Sequence, residues 1–208
     1  MVMVGYLPRL IEGEIDKWME REEFIIIKGP RQSGKTTLLK HLAEKYKGEY
    51  FTLEDPSHLE LFDRDPKGFV EMAGLKFIFL DEAQYSKNAG KNLKLIYDLY
   101  KGKVKLVVSG SGSFDVKVPI GSYLVGRCVY FDLLPLNFGE FLLWKNERLF
   151  RLFRERRNAL LKLINGEEVE LKDVVLKRSF LRMLNEFLVF GGFPKVVKES
   201  EKEEVLRN

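Results

Sequence analysis

Residues 24–43 read FIIIKGPRQSGKTTLLKHLA, and they contain the clearest indication of the fold in this chain. An apolar run at 24–27 leads into a GxxxxGKT loop at 29–36, and a run with Leu38, Leu39 and Leu42 at helical spacing follows. A buried strand, a glycine-rich loop and the start of a helix are the context in which this pattern binds phosphate. The stretch therefore predicts a P-loop.

Each residue type in this loop has a physical task. The predicted phosphate-binding residues are Gly29, Pro30, Arg31, Gln32, Ser33, Gly34, Lys35, Thr36 and Thr37. Gly29 and Gly34 allow a tight turn that points backbone N–H groups at phosphate oxygens. Lys35 is predicted to reach the outer phosphates. The Thr36 hydroxyl is predicted to ligate Mg²⁺ at the positive end of the helix.

A second informative stretch is FIFLDEAQ, at 77–84. Four apolar residues run directly into two acids, which is typical of the carboxyl end of a parallel strand covered on both faces. The acids follow the P-loop by about 45 residues, with one strand between, as in a Walker B pattern. Asp81 is predicted to bind Mg²⁺, and Glu82 to polarise the water that attacks the terminal phosphate. Gln84 is interpreted either as a reporter of the terminal phosphate or as a polar loop residue.

Two further residues each have two interpretations. A strand at 104–108 ends in Ser109, which can contact the attacking water or the terminal phosphate as a sensor; a plain Gly/Ser turn at 109–113 explains the sequence equally well. Arg127 stands at the start of a fifth strand, where it cannot easily reach its own nucleotide. It is interpreted either as an arginine finger for a neighbouring subunit, which implies a homo-oligomer, or as one half of a structural salt bridge.

Composition narrows the class of protein. The chain has 208 residues, of which 45% are hydrophobic and 32% charged, as in soluble globular proteins. Its apolar runs are too short to cross a bilayer, and its first residues lack the features of a signal peptide. One cysteine and two histidines predict neither a disulfide framework nor a zinc site. We therefore expect a cytoplasmic protein without membrane contact.

The character of the chain changes after residue 136. Asn137 is predicted to cap one long helix, whose other side carries Arg148, Arg151, Arg154 and Arg157. These arginines are interpreted as contacts for nucleic-acid phosphates or as a solvated helix face, which leaves a DNA or protein partner open. The net charge of +4 permits nucleic-acid contact without requiring it. The predicted division is a P-loop core at 1–136 and a helical appendage, or the start of a lid, at 137–208.

Five stretches together resemble one family: GPRQSGKTTLL, FIFLDEAQ, VVSGSGS, LVGR followed by VYFDLLPLNFGEFL, and GGFPKVV. They are similar to the prokaryotic, largely archaeal, AAA-type P-loop ATPases related to the STAND and origin-recognition ATPases. The resemblance implies a sheet of order 5-1-4-3-2, and it implies the roles given above for Lys35, Thr36, Asp81, Glu82 and Ser109. It also matches Arg127 to a family Gly-Arg pair, and residues 191–194 to a turn near the nucleotide. Family members usually continue into further helices and a C-terminal domain, so we expect a fragment or a shortened relative.

The sequence thus predicts a three-layer α/β P-loop protein with a C-terminal helical appendage. The expected activity is Mg²⁺-dependent hydrolysis of the β–γ phosphoanhydride of ATP, coupled to a conformational or assembly change. Its predicted catalytic residues are Lys35, Glu82, Ser109 and Arg127, with Thr36 and Asp81 on the metal. No guanine-reading NKxD motif occurs, which favours ATP over GTP. A nucleotide-gated binding switch with little turnover is the alternative, and a phosphotransferase is a third interpretation.

Overall fold

The structure is a computed structural model that describes residues 6–74, 76–111, 120–169 and 177–207. The chain divides into two compact units. The first contains Tyr6 and residues 10–134, and the second contains residues 7–9 and the chain from residue 135 onward.

The first unit alternates strands and helices. Its strands are β1 (Phe24–Gly29), β2 (Glu49–Thr52), β3 (Phe77–Asp81), β4 (Lys105–Ser111) and β5 (Cys128–Asp132). Its helices are α1 (Glu12–Met19), α2 (Lys35–Tyr46), α3 (Pro56–Arg64), α4 (Pro66–Ala73), α5 (Ala89–Tyr100) and α6 (Ile120–Tyr123), with a 3-10 turn at Ala83–Tyr85.

The five strands form one parallel sheet in the order β2-β3-β4-β1-β5. This is the predicted order, read from the opposite edge, so the predicted fold class is confirmed. Register places Ile27 beside Ser109 and Gly29 beside Ser111, and Leu80 beside Val108. Because all strands run the same way, the P-loop and the residues that follow β3 and β4 share one edge of the sheet.

Side chains of the central strands alternate between the two faces of the sheet, as the pleat requires. One face packs on α3, α4 and α5 through the fully buried residues Phe24, Ile26, Ile78, Leu80, Leu106 and Val108. The other face packs on α1 and α2 through Ile25, Ile27, Phe79 and Val107, which are also fully buried. Burial on both faces explains why these strands read as continuous apolar runs.

The second unit is helical. Its helices are α7 (Phe138–Lys145), α8 (Glu147–Ile164), α9 (Lys177–Phe190), α10 (Pro194–Lys198) and α11 (Lys202–Arg207). The expectation of one long helix after Asn137 is wrong, because α7 ends and α8 begins at Asn146. That residue has extended backbone angles, and its side chain accepts a hydrogen bond from the Leu149 N–H at 3.1 Å. Asparagine is favoured at such a helix start.

A buried ion pair lies inside the second unit. The Arg9 guanidinium donates to the Glu140 carboxylate at 3.1 Å, and both side chains are almost fully buried. Glu140 also accepts from the Asn137 N–H while Asn137 accepts from the Glu140 N–H, a reciprocal cap at the start of α7. The ion pair therefore connects the segment 7–9 to α7 within the second unit. Among the described residues, no helix is long and apolar enough to span a membrane.

Candidate functional site

The loop at 29–36 joins β1 to α2 and has two residues in left-handed backbone conformation. Gly34 has φ 98° and Gln32 has φ 64°. Glycine adopts this region without steric strain, whereas a residue with a Cβ is destabilised there. Residues around the loop differ in exposure: Ser33 and Lys35 are buried, Gly34 and Thr36 are half-buried, and Pro30, Arg31, Gln32 and Thr37 are exposed.

Gly29 is required for a reason that the sequence did not reveal. A Cβ on this residue would lie 2.1 Å from the backbone oxygen of Leu133, at the exit of β5. The Leu133 N–H also donates to the Lys28 oxygen at 2.6 Å, which fixes the two segments together. Gly29 therefore provides space for the neighbouring backbone, while Gly34 provides the turn.

Lys35 lies at the centre of the loop and is 5% exposed. Its ammonium group donates to the backbone oxygens of Gly29 at 3.0 Å and Pro30 at 2.9 Å. Burial lowers the pKa of Lys35 below its ordinary value, and the nearby negative charges of Glu82 and Asp81 oppose that shift. The lysine and the two acids, more than 40 positions apart in sequence, therefore share one electrostatic environment.

Asp81 ends β3 and is 1% exposed. One carboxylate oxygen accepts from the Tyr50 hydroxyl at 2.8 Å, and the other accepts from the Ser109 hydroxyl and from the Glu82 N–H at 3.1 Å. Burial, followed by the charge of Asp81, raises the pKa of the Tyr50 hydroxyl, so that Tyr50 stays a donor. Three donors thus hold the carboxylate in one orientation.

Tyr50 is a member of this cluster that sequence reasoning missed. It lies on β2, the strand that pairs with β3. The signal was a hydroxyl-bearing aromatic residue in the adjacent strand, and it becomes informative only once the strand pairing is known. Ser109, by contrast, was a candidate from the sequence, and the structure places its hydroxyl on Asp81.

Glu82 follows β3 in left-handed conformation, with φ 56°. A non-glycine residue in this region carries backbone strain, and such residues cluster at functional sites. The Glu82 carboxylate accepts a hydrogen bond from the Gln84 side-chain amide. The Gln84 oxygen in turn accepts from the Ser111 N–H at 3.2 Å. A chain of hydrogen bonds therefore links the acid to the end of β4.

Arg127 lies elsewhere. Its backbone oxygen accepts from the N–H of Phe24, the first residue of β1, so it stands at the amino-terminal edge of the sheet. The P-loop, Asp81 and Glu82 lie at the opposite edge. The Arg127 guanidinium pairs with Asp98 of α5 at 2.9 Å. The structure thus shows the salt bridge that was one of the two interpretations of this residue, and it does not bring Arg127 to the other candidate residues.

The donor set at the P-loop edge fits Mg²⁺. The Thr36 hydroxyl and the Asp81 carboxylate are hard oxygen ligands, and Asp81 is already oriented by its neighbours. Mg²⁺ needs only one or two protein oxygens, because water and phosphate oxygens complete its shell. A site built entirely from protein is not present in the described part of the chain, where no three His, Cys, Asp or Glu side chains could hold a metal together.

Comparison with known proteins agrees with this architecture. An uncharacterized protein of Methanocaldococcus jannaschii is 26% identical over a 209-residue alignment, which covers 96% of this chain and 42% of that protein. The chain therefore spans about two fifths of that relative's length. A family model described as an AAA domain matches residues 21–142, a segment that contains the whole loop at 29–36 as well as Asp81, Glu82 and Ser109. Because this match covers more than half of the 208 residues, the chain belongs to the AAA domain family.

Proposed function

We propose that this chain binds ATP with Mg²⁺ and hydrolyses the β–γ phosphoanhydride bond. Membership of the AAA domain family supports nucleotide binding. The observation that carries the proposal is that Lys35, Asp81 and Glu82 lie at one edge of the sheet, where the charges of both acids act on Lys35. A phosphate-binding cation, a metal-binding carboxylate and a candidate base are the parts that phosphoryl transfer to water requires.

In this proposal the loop residues bind the phosphates. Lys35 leaves the Gly29 and Pro30 oxygens, which it contacts at 3.0 and 2.9 Å, and donates to the outer phosphates instead. The start of α2 offers its free backbone N–H groups to the same phosphates. Thr36 and Asp81 would hold Mg²⁺, which neutralises phosphate charge when bound. Ser109 keeps the Asp81 carboxylate oriented.

Glu82 acts as the general base. Its carboxylate orients a water molecule and accepts a proton from it as the water oxygen attacks the terminal phosphorus. The bond from that phosphorus to the bridging oxygen breaks, so the products are ADP and inorganic phosphate. A positioned carboxylate in this role contributes about 10²–10⁴-fold to rate.

Coupling to a conformational change follows from the two lysine contacts. Because Lys35 contacts carbonyl oxygens of its own loop in the free chain, its transfer to a phosphate releases Gly29 and Pro30 oxygens. Gly29 lies against the backbone of Leu133, whereas the segment from Pro30 to Gln32 is exposed, so we expect the adjustment to fall on that segment. We propose that this exposed segment reports nucleotide occupancy to a partner.

Arg127 is proposed as a cation for a second copy of the chain. Arg127 lies at the amino-terminal edge of the sheet, opposite the loop at 29–36, so we do not expect it to contact a nucleotide bound by its own chain. Its side chain is 31% exposed. The exposed ion pair with Asp98 contributes little stability, roughly 0–1 kcal/mol, so a phosphate can displace the carboxylate. Such a homo-oligomer would share its site between subunits.

A nucleotide-gated binding switch with little turnover is the second candidate function. The observation that favours it is the ion pair between Arg127 and Asp98. While Arg127 is paired with Asp98 of its own chain, it cannot supply a cation to a phosphate bound by a second copy. The partner would be DNA or protein. Arg148 and Arg154 are exposed on α8, whereas Arg151 pairs with Glu147 at 2.6 Å.

Phosphate release from ATP tests the proposal. We expect turnover in Mg²⁺ that disappears in excess EDTA, measured at several protein concentrations. A rate per chain that grows with concentration supports the shared site, and a constant rate supports a site complete within one chain. Tight ATP binding without Mg²⁺-dependent release would reject hydrolysis and favour the switch.

A further inference from the structure

The side chain of Gln84 joins two elements of the site. Gln84 lies in the 3-10 turn directly after Glu82, and it is half-buried. Its amide nitrogen donates to the Glu82 carboxylate, and its amide oxygen accepts from the Ser111 N–H at 3.2 Å. Both ends of the carboxamide are therefore in use.

The anchor of this bridge lies at the end of a central strand. Ser111 ends β4, and in the register of the sheet it lies beside Gly29, the first residue of the P-loop. Its N–H belongs to a central strand whose neighbours are β3 and β1. A backbone N–H can only donate, so the atom of Gln84 that accepts from it must be the amide oxygen. The amide nitrogen is then left to face Glu82, which fixes the orientation of the carboxamide.

Glu82 depends on this contact. Within the described residues, Gln84 is the one side chain that donates a hydrogen bond to the Glu82 carboxylate. Without it, the three side-chain torsions of a half-buried glutamate are free, and fixing them costs rotamer entropy. A hydrogen bond to an ionised group is also among the stronger ones in proteins.

We propose that Gln84 is a positioning residue that holds the Glu82 carboxylate at a fixed place relative to the P-loop. The inference rests on the proposed hydrolysis, in which Glu82 is the base. The amide donor holds the carboxylate in one orientation, from which it can accept a proton from the attacking water. Small errors in such placement reduce rates about a hundredfold.

The test replaces Gln84 by Met and by Glu. Gln84→Met keeps length and volume but removes both hydrogen bonds, and we expect kcat to fall about 10- to 100-fold with an ATP dissociation constant within about threefold of wild type. Gln84→Glu retains the acceptor for Ser111 but places a second carboxylate against Glu82. Because neighbouring carboxylates repel each other, Glu82 should lose its fixed position, and kcat should fall in this variant as well.

A matched control and a second readout separate this inference from the proposed function. Tyr85→Phe changes the next residue of the same turn, which is exposed and contacts Glu54, and it should leave kcat unchanged. In the nucleotide-free chain, the side-chain amide resonances of Gln84 should shift in Glu82→Gln. Unshifted resonances would overturn the bridge whether or not the chain hydrolyses ATP. Wild-type turnover with an equal or higher kcat in Gln84→Met would overturn the positioning role, whereas absent wild-type turnover would count against hydrolysis itself.

Discussion

Glu82→Gln should lower ATP turnover by about 10²–10³-fold while leaving ATP affinity within about threefold of wild type. The substitution keeps the shape of the side chain and removes only its charge and its ability to take a proton. Gln84 can still donate to the new amide oxygen, so the local structure should persist. Loss of rate without loss of affinity is the behaviour of a group that acts in the transition state alone.

Glu54→Gln is the matched control for this variant. Glu54 also follows a strand of the sheet and also accepts a side-chain hydrogen bond, from Tyr85 at 3.2 Å, but it is exposed. Turnover of Glu54→Gln should stay near the wild-type value. Phosphate release under saturating ATP measures both variants, and equal turnover in Glu82→Gln and wild type would rule out Glu82 as the base.

Lys105→Met should lower the free energy of unfolding by about 2–3 kcal/mol. Lys105 begins β4 and is 3% exposed, and its ammonium group donates to the backbone oxygens of Trp18 at 2.5 Å, Arg21 at 2.9 Å and Glu23. These oxygens belong to the end of α1 and the turn into β1. Methionine fills the volume but leaves the oxygens without this donor. Urea denaturation monitored by circular dichroism measures the difference in free energy of unfolding between wild type and Lys105→Met.

The pH dependence of that stability has a defined sign. Burial lowers the pKa of Lys105 to about 8 from 10.5. Because the folded chain then releases this proton at a lower pH than the unfolded chain, wild-type stability should rise relative to Lys105→Met between pH 8 and pH 10.5. Lys103→Met, at an exposed neighbouring position, should change stability by less than about 0.5 kcal/mol. A Lys105→Met variant as stable as Lys103→Met would contradict the structural role of Lys105.

Local patterns were enough to predict the elements around the phosphate loop. The apolar run before Gly29 and the helical spacing after Lys35 each depend on neighbours in sequence, as does the run that ends at Asp81. The strand order came from resemblance to a family, since five parallel strands can be ordered in several ways that share the same local pattern.

Contacts between distant segments could not be predicted. The bond from Tyr50 to Asp81 depends on the pairing of β2 with β3, and the bridge through Gln84 depends on the position of Ser111 at the end of β4. The ion pair of Arg127 joins it to Asp98, which lies 29 positions away. Each contact requires strand register or helix placement, neither of which a sequence pattern contains.

The break at Asn146 shows a different limit. Apolar residues continue at helical spacing across it, so periodicity alone predicts one helix. The side chain of Asn146 instead caps a new helix by accepting from the Leu149 N–H. An asparagine with an acid directly after it was an available signal for a helix start, and the apolar periodicity outweighed it.

Calorimetric titration with ATP and Mg²⁺, of the wild-type chain and of Lys35→Met, measures whether residues 29–36 bind nucleotide. Methionine matches the length of lysine but carries no charge for the phosphates. We expect saturable binding of about one ATP per chain by wild type, and affinity lower by at least about a hundredfold in Lys35→Met. Equal binding of ATP by the two chains, or none by either folded chain, would contradict the assignment of residues 29–36 as a nucleotide-binding loop.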